Sequence, residues 1–265
     1  MKNISLPVKI EYQADEKNKN KGSVIVEPCY PGYGNTWGNA LRRVLLSSLE
    51  GAAVTAVKIK GAKYEFSAMS DVSEDILDII LNLKSLRIKI LSDTNEPIKL
   101  NLKASGEKKI TAGDITPCAD VEILNPELII ATLTDKKVHF EMDIWVQKGY
   151  SWISSEEKSR EGLEVGTIVT DSIFTPVVQV AVNIENVRVG KRTDFDKLIV
   201  TIETNGALTP QEAFNTASQL LTEQFSALTD GSKLIMETKA TKEKTKAKKE
   251  KKEKKTVVKS KKKSK

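Results

Sequence analysis

Gly32-Tyr33-Gly34-Asn35-Thr36-Trp37-Gly38-Asn39-Ala40-Leu41-Arg42-Arg43-Val44-Leu45-Leu46-Ser47-Ser48-Leu49-Glu50-Gly51 reads as a turn, a capped helix and a stop. Asn35 or Thr36 offers the N-cap side chain, and Gly51 stands just past a helix expected over 36–49. At about 100° per residue, Ala40, Val44, Trp37, Ser48, Leu41, Leu45 and Leu49 fill about half the helical circumference. Leu46 falls on the other side, among Asn39, Arg42 and Arg43. Arg43 and Leu46 are i,i+3 neighbours, so their side chains share one surface patch. A helix that packs with one side and offers an arginine and a leucine on the other suits an assembly part better than an active site.

Outward from that helix, period-two patterning dominates. Residues 23–27, 54–59, 86–90, 98–103, 138–147, 177–189 and 198–204 all read as strands. Leu86-Arg87-Ile88-Lys89-Ile90 and Ile98-Lys99-Leu100-Asn101-Leu102-Lys103 alternate as half-buried antiparallel strands do. A second helix is expected over 74–84, with Ser73 as N-cap and Ile76, Ile79, Ile80 and Leu83 as its inner stripe. A third begins at Pro210, with Thr209 as N-cap, Pro210 at N1 and Glu212 completing a capping box, and Gly231 stops it. Its apolar arc is Ala213, Phe214, Ala217, Leu220, Leu221, Phe225 and Leu228. Residues 143–170 and 105–120 read as irregular loops on the strand-rich part.

The first and third helices lie at opposite ends of the body. The simplest account is an α+β chain with a discontinuous first domain, 1–49 plus 176–232, carrying two amphipathic helices on an antiparallel sheet. An inserted, mainly β second domain then spans 50–175. The arcs of the two helices exceed what a sheet of about four strands needs to cover, so they either pack on their own sheet or pair with their counterparts in a twofold homodimer. If the helices pair, Tyr33, Trp37, Leu41, Phe214, Leu221, Phe225 and Leu228 are the expected dimer seam, because large aromatics anchor interface centres.

Charge is unevenly placed. From Thr238 to Lys265 there are 15 Lys and 3 Glu, a net +12, which leaves residues 1–237 at −6 within a chain of +6 overall. The basic character therefore belongs to the tail, 233–265, whose composition cannot bury a core and is expected to be disordered. Its lysines, Lys248, Lys249, Lys251, Lys252, Lys254 and Lys255 among them, are expected to touch DNA phosphates without reading bases.

Chemistry is hard to find. His139 is the only histidine, so a Ser/His/Asp or Cys/His constellation lacks its centre. Cys29 and Cys118 lie 89 residues apart with no second pair, and read as reduced thiols. Gly32-Tyr33-Gly34 lacks the spacing of a phosphate loop. Asp194 and Asp196 would share a strand face, but Arg192 and Lys197 nearby favour surface pairing over a magnesium site. No catalytic residue, cofactor or metal ligand is expected. No run approaches the ~20 apolar residues of a membrane span, and no leader is read at the N-terminus, so no membrane partner and a cytoplasmic location are expected.

The opening stretch is very similar to the first helix of bacterial RNA polymerase α subunits. Four further stretches resemble that family in the same order: Glu65-Phe66-Ser67; Glu74-Asp75-Ile76-Leu77 through Leu81-Asn82-Leu83-Lys84; Thr111-Ala112-Gly113-Asp114-Ile115-Thr116; and Arg192-Thr193-Asp194-Phe195-Asp196-Lys197-Leu198 leading to Glu203-Thr204-Asn205-Gly206. The resemblance implies a non-catalytic subunit of a nucleotidyltransferase complex, a homodimer whose protomers hold the β and β′ subunits. It implies a β contact through Arg43, Leu46, Glu65 and Leu83, and a β′ contact through Val180, Arg188, Arg192 and Lys197. The family continues into a compact helical DNA-binding domain, whereas this sequence continues into the lysine-rich tail. The competing expectation is a stand-alone dimeric nucleic-acid-binding protein that works through the tail.

Overall fold

Two antiparallel four-stranded sheets, drawn from different stretches of the chain, organise the computed structural model, which describes residues 4–62, 64–67, 69, 71–159 and 163–229. The first is ordered β1-β2-β14-β13, from β1 (Lys9–Ala14), β2 (Lys21–Cys29), β13 (Val177–Val189) and β14 (Arg192–Thr204). The second is ordered β11-β3-β9-β5, from β3 (Glu50–Ile59), β5 (Ile98–Ser105), β9 (His139–Tyr150) and β11 (Ile168–Val169). Two-stranded ladders pair β4 (Ile88–Ile90) with β7 (Val121–Ile123), β6 (Lys109–Thr111) with β8 (Ile129–Thr132), and β10 (Trp152–Ile153) with β12 (Ser172–Ile173). With α1 (Tyr33–Ser47), α2 (Ile76–Lys84) and a third helix, α3, over 210–229, this is a strand-rich α+β fold. The chain divides into a unit Met1–Ala217, which holds every strand among the described residues, and a unit beginning at Ser218, described as far as 229.

Alternation builds the second sheet's core. On β9, Phe140, Met142, Ile144 and Val146 point inward, and on β5 so do Leu100, Leu102 and Ala104, while Lys99, Asn101 and Lys103 face water. Ile76, Ile79, Ile80 and Leu83 of α2 join one contiguous cluster with Ile88, Ile110, Ile115, Ile130 and Leu133. The expected stripe of α2 is therefore observed, although the helix starts at Ile76. Ser73 does not cap it: the Ser73 amide donates to Thr132 O, and the Glu74 carboxylate accepts from the Thr132 amide at 2.6 Å and hydroxyl at 2.9 Å.

Several expectations are corrected. The region 143–170 is not one loop, because β9 runs on through Tyr150, with Gly149 opposite Gly51 of β3. Inside 105–120, β6 is followed by a 3-10 turn at Ala112–Asp114, closed by a capping box between Thr111 and Asp114. β1 was not expected as a strand; it is an edge strand, with Ile10 opposite Val26 and Tyr12 opposite Val24. The expected Thr209 box is present, with Glu212 Oε2 accepting from the Thr209 amide at 2.9 Å and Thr209 Oγ1 accepting from the Glu212 amide at 3.2 Å.

Candidate functional site

The α1 helix starts three residues earlier than its side chains suggest. Gly32, at φ 86°, is its N-cap and brings no side-chain acceptor. The acceptor comes from β14 instead: Asp196 Oδ2 receives the Gly32 amide at 2.9 Å and the Gly34 amide at 3.1 Å. A buried carboxylate thus satisfies two orphan donors at the positive end of the helix dipole. Asp196 is thus a helix anchor, and the ion pair expected of it on the surface is not observed among the described residues. Asp194 is the one paired by Arg192, through a fork at 2.9 and 2.6 Å, and that hydrogen-bonded guanidinium holds its carboxyl below the usual range.

Below the cap, α1 lies on β13 and β14 with Gly34, Gly38, Leu41 and Leu45 inward. Gly38 is required by that approach, since a Cβ there would meet Val182 Cγ1 at 2.6 Å. The opposite side is open: Arg42, Arg43 and Ser47 are exposed, and Leu46 is 36% exposed among them. Arg43 has no ion-pair partner among the described residues. Its position is fixed through the backbone, as Ser47 Oγ donates to Arg43 O at 2.8 Å and Thr175 Oγ1 donates to Leu46 O at 2.8 Å. The structure therefore holds an unpaired cation and a large aliphatic side chain side by side on the outer face of α1.

Around the α1 start, Tyr30, Tyr33, Trp37 and Phe195 stack edge to face at centroid distances of 5.5, 6.1 and 6.2 Å along the chain Trp37–Tyr33–Tyr30–Phe195. Arg192 lies over Tyr30 at 6.0 Å and over Phe195 at 5.0 Å. Tyr33, Trp37 and Arg192, expected at two different contacts, thus belong to one surface cluster. Lys197 pairs with Glu185 across the β13–β14 hairpin at 3.1 Å, and Arg188 Nε donates to Gly190 O.

Three expected contact residues have no surface to offer. Leu83 is 1% exposed inside the core around α2, Val180 is 6% exposed on the inner face of β13, and Leu41 is 7% exposed on the sheet side of α1. The reason is the same each time: the residue sits on the inward phase of its own element. On α2 the exposed aliphatics are Leu77 and Leu81, an i,i+4 pair on the outer side. Glu65 is exposed in a turn between the exposed aromatics Tyr64 and Phe66. Phe214 and Leu221 are half-buried, while Phe225 and Leu228 are exposed. The six tail lysines lie outside the described residues.

Nothing in the described residues gathers three or more His, Cys, Asp or Glu into a metal-binding group. His139 is exposed at the start of β9, Cys118 is half-buried, and burial pushes the Cys29 thiol up, leaving it inert. No helix among the described residues is long and apolar enough to cross a membrane.

A family model described as the RNA polymerase Rpb3/RpoA insert domain matches residues 57–175. A protein of Alkaliphilus metalliredigens is 45% identical over 218 residues, covering 82% of this chain and 68% of the relative. Another from Symbiobacterium thermophilum is 48% identical over 225 residues, covering 84% and 70%. A third from Desulfitobacterium hafniense is 46% identical over the same length. All three carry the name DNA-directed RNA polymerase subunit alpha. The chain belongs to the family of bacterial DNA-directed RNA polymerase α subunits.

Proposed function

We propose that this chain is the α subunit of a DNA-dependent RNA polymerase and acts as a homodimeric scaffold without an active site of its own. One protomer takes the β subunit and the other takes β′. The observation that carries this reading is the Arg43–Leu46 patch: an unpaired cation beside an exposed leucine, on a helix whose other face is committed to its sheet. Exposed Glu65, Tyr64 and Phe66, with Leu77 and Leu81 on α2, extend the β surface. Arg188, Arg192 and Lys197 on the β13–β14 hairpin form the β′ surface. Tyr33 and Trp37, together with Phe214, Leu221, Phe225 and Leu228 on α3, supply the dimer seam.

The domain reading follows the sheets. Strands of the first sheet come from 9–29 and 177–204, those of the second from 50–169, and the insert-domain match spans 57–175. These support a dimerisation domain of 1–49 plus 176–232 carrying an inserted domain of 50–175. The tail from 233 adds counterion-release attraction to DNA, and engaging about five phosphates would give a log–log salt slope near −4.5.

The test is capture of the tagged chain from its own cell lysate. The unaltered chain brings down two large partners, and Arg43→Ala keeps its own dimer while losing one of them. Recovery of both partners by Arg43→Ala in undiminished yield would remove that arginine from the β contact. Absence of any large partner on the unaltered chain would overturn the scaffold reading.

A further inference from the structure

Lys158 lies outside the contact surfaces proposed above. Its ammonium donates to the Thr170 carbonyl oxygen and to Ser172 Oγ, and Ser172 Oγ donates in turn to Val54 O. These bonds tie the turn at 155–158 to Thr170, just after β11, and to Ser172, the first residue of β12. No carboxylate accepts from Lys158 among the described residues. Asp171, the nearest acid in electrostatic effect, is already engaged, accepting from the Ser155 amide at 2.9 Å and from Lys84 Nζ at 3.5 Å. Lys158 also lines a cavity of about 610 Å³ whose walls include Trp145, Ile153, Pro97 and Val169, with Glu96 and Glu157 at its charged positions.

We propose that Lys158 is an acyl-acceptor site, an amine that takes a short acyl group from an acyl phosphate in the cavity beside it. The neutral amine keeps two N–H donors for Thr170 O and Ser172 Oγ and turns its lone pair toward the remaining tetrahedral position. The lone pair attacks the acyl carbon, the carbon–oxygen bond to phosphate breaks, and phosphate leaves with that electron pair. The extra proton on nitrogen passes to solvent, so an amide, inorganic phosphate and one proton are formed. The apolar wall receives the acyl chain. The resulting amide nitrogen retains a single N–H, so one of the two bonds that fasten the 155–158 turn is given up on modification.

Acid–base chemistry favours the same nitrogen. Burial lowers the Lys158 pKa to about 8, with Asp171 opposing and Lys84 reinforcing the shift. At pH 7.5 about a quarter of such an amine is neutral, against about one in a thousand for an unperturbed lysine near 10.4. A Brønsted slope of about 0.4–0.5, as for thiols, returns roughly tenfold of that advantage and leaves about tenfold or more.

The experiment treats the full chain with acetyl phosphate at pH 7.5 and follows each lysine by peptide mass spectrometry. Lys158 is expected to acylate at least about tenfold faster than the exposed Lys136 and Lys137. Its rate should level off above about pH 8 while theirs keep climbing. The preference should vanish in the urea-unfolded chain, and Lys158→Arg should remove the fast phase altogether. A native rate no faster than that of Lys136, a preference that survives unfolding, or a fast phase persisting in Lys158→Arg would each overturn the assignment.

Discussion

The two sheets solve the same burial problem differently. The second sheet closes its core with its own chain: α2 and the short ladders β4–β7 and β6–β8 cover it, and one contiguous cluster runs from Val54 to Ile168. The first sheet is covered by α1 over β13 and β14, yet apolar side chains remain open at its edge. Ile4, Leu6, Val8 and Ile10 alternate along an extended stretch that runs into edge strand β1, and all four are exposed. Contiguous exposed apolar surface marks an interaction site more often than a finished monomer. One part of the molecule is complete in a single chain, and the other has the composition of a surface awaiting a partner.

The sharpest way to break that contrast is to remove the same kind of side chain from both sheets. Leu102 on β5 is fully buried, so Leu102→Ala should destabilise the chain by about 2–5 kcal/mol through lost transfer energy and the cavity left behind. Ile10→Ala on β1 should change monomer stability by no more than about 0.5 kcal/mol, because the side chain is mostly in water already. Urea unfolding of the two variants measures the difference. Equal losses would mean that both sheets are equally finished.

Next in size is the proposed seam. Phe225 is 60% exposed on α3, and Phe225→Asp should weaken the proposed homodimer by about 2 kcal/mol, roughly 30-fold in Kd, as loss of an aromatic anchor does. Sedimentation equilibrium reads the shift, and the unfolding midpoint of the dilute protein should hardly move. A dimer constant unchanged by that charge would place the seam elsewhere.

Strand and helix existence was legible because periodicity survives in long elements. β5 alternates without a break, and the wheel for α1 put Leu46 on the wet side, where it stands. The capping box at Thr209 was legible because all its chemistry is local. Two-residue strands such as β10 and β11 are too short to leave a period, and their pairing with β12 and β3 depends on partners far along the chain. The family resemblance puts Leu83 and Val180 at contacts, although the periodicity of their own elements puts them inside, and Leu41 is read as a seam residue although the wheel places it on the arc that packs on the sheet. The wheel logic that singled out Leu46, applied to α2, would have found Leu77 and Leu81.

Asp196 is the feature no local reading could reach, because its partners lie 164 and 162 residues away. It also ties the two proposed contact faces together, since the strand bearing Arg192 and Lys197 holds the start of the helix bearing Arg43 and Leu46. Asp196→Asn tests this with little change of shape. The amide oxygen can still accept from Gly32 or Gly34, but the negative charge at the positive end of the helix is gone, and the amide's own two donors meet a site built for an acceptor. The expected loss is about 1 kcal/mol, in the range of a weakened N-cap, with faster exchange confined to the first-turn amides of α1. A loss spread evenly over β13 and β14 would show that the carboxylate serves the hairpin rather than the helix. No loss at all would mean that the Gly32 turn sets the helix start unaided, and the two contact faces would then be independent.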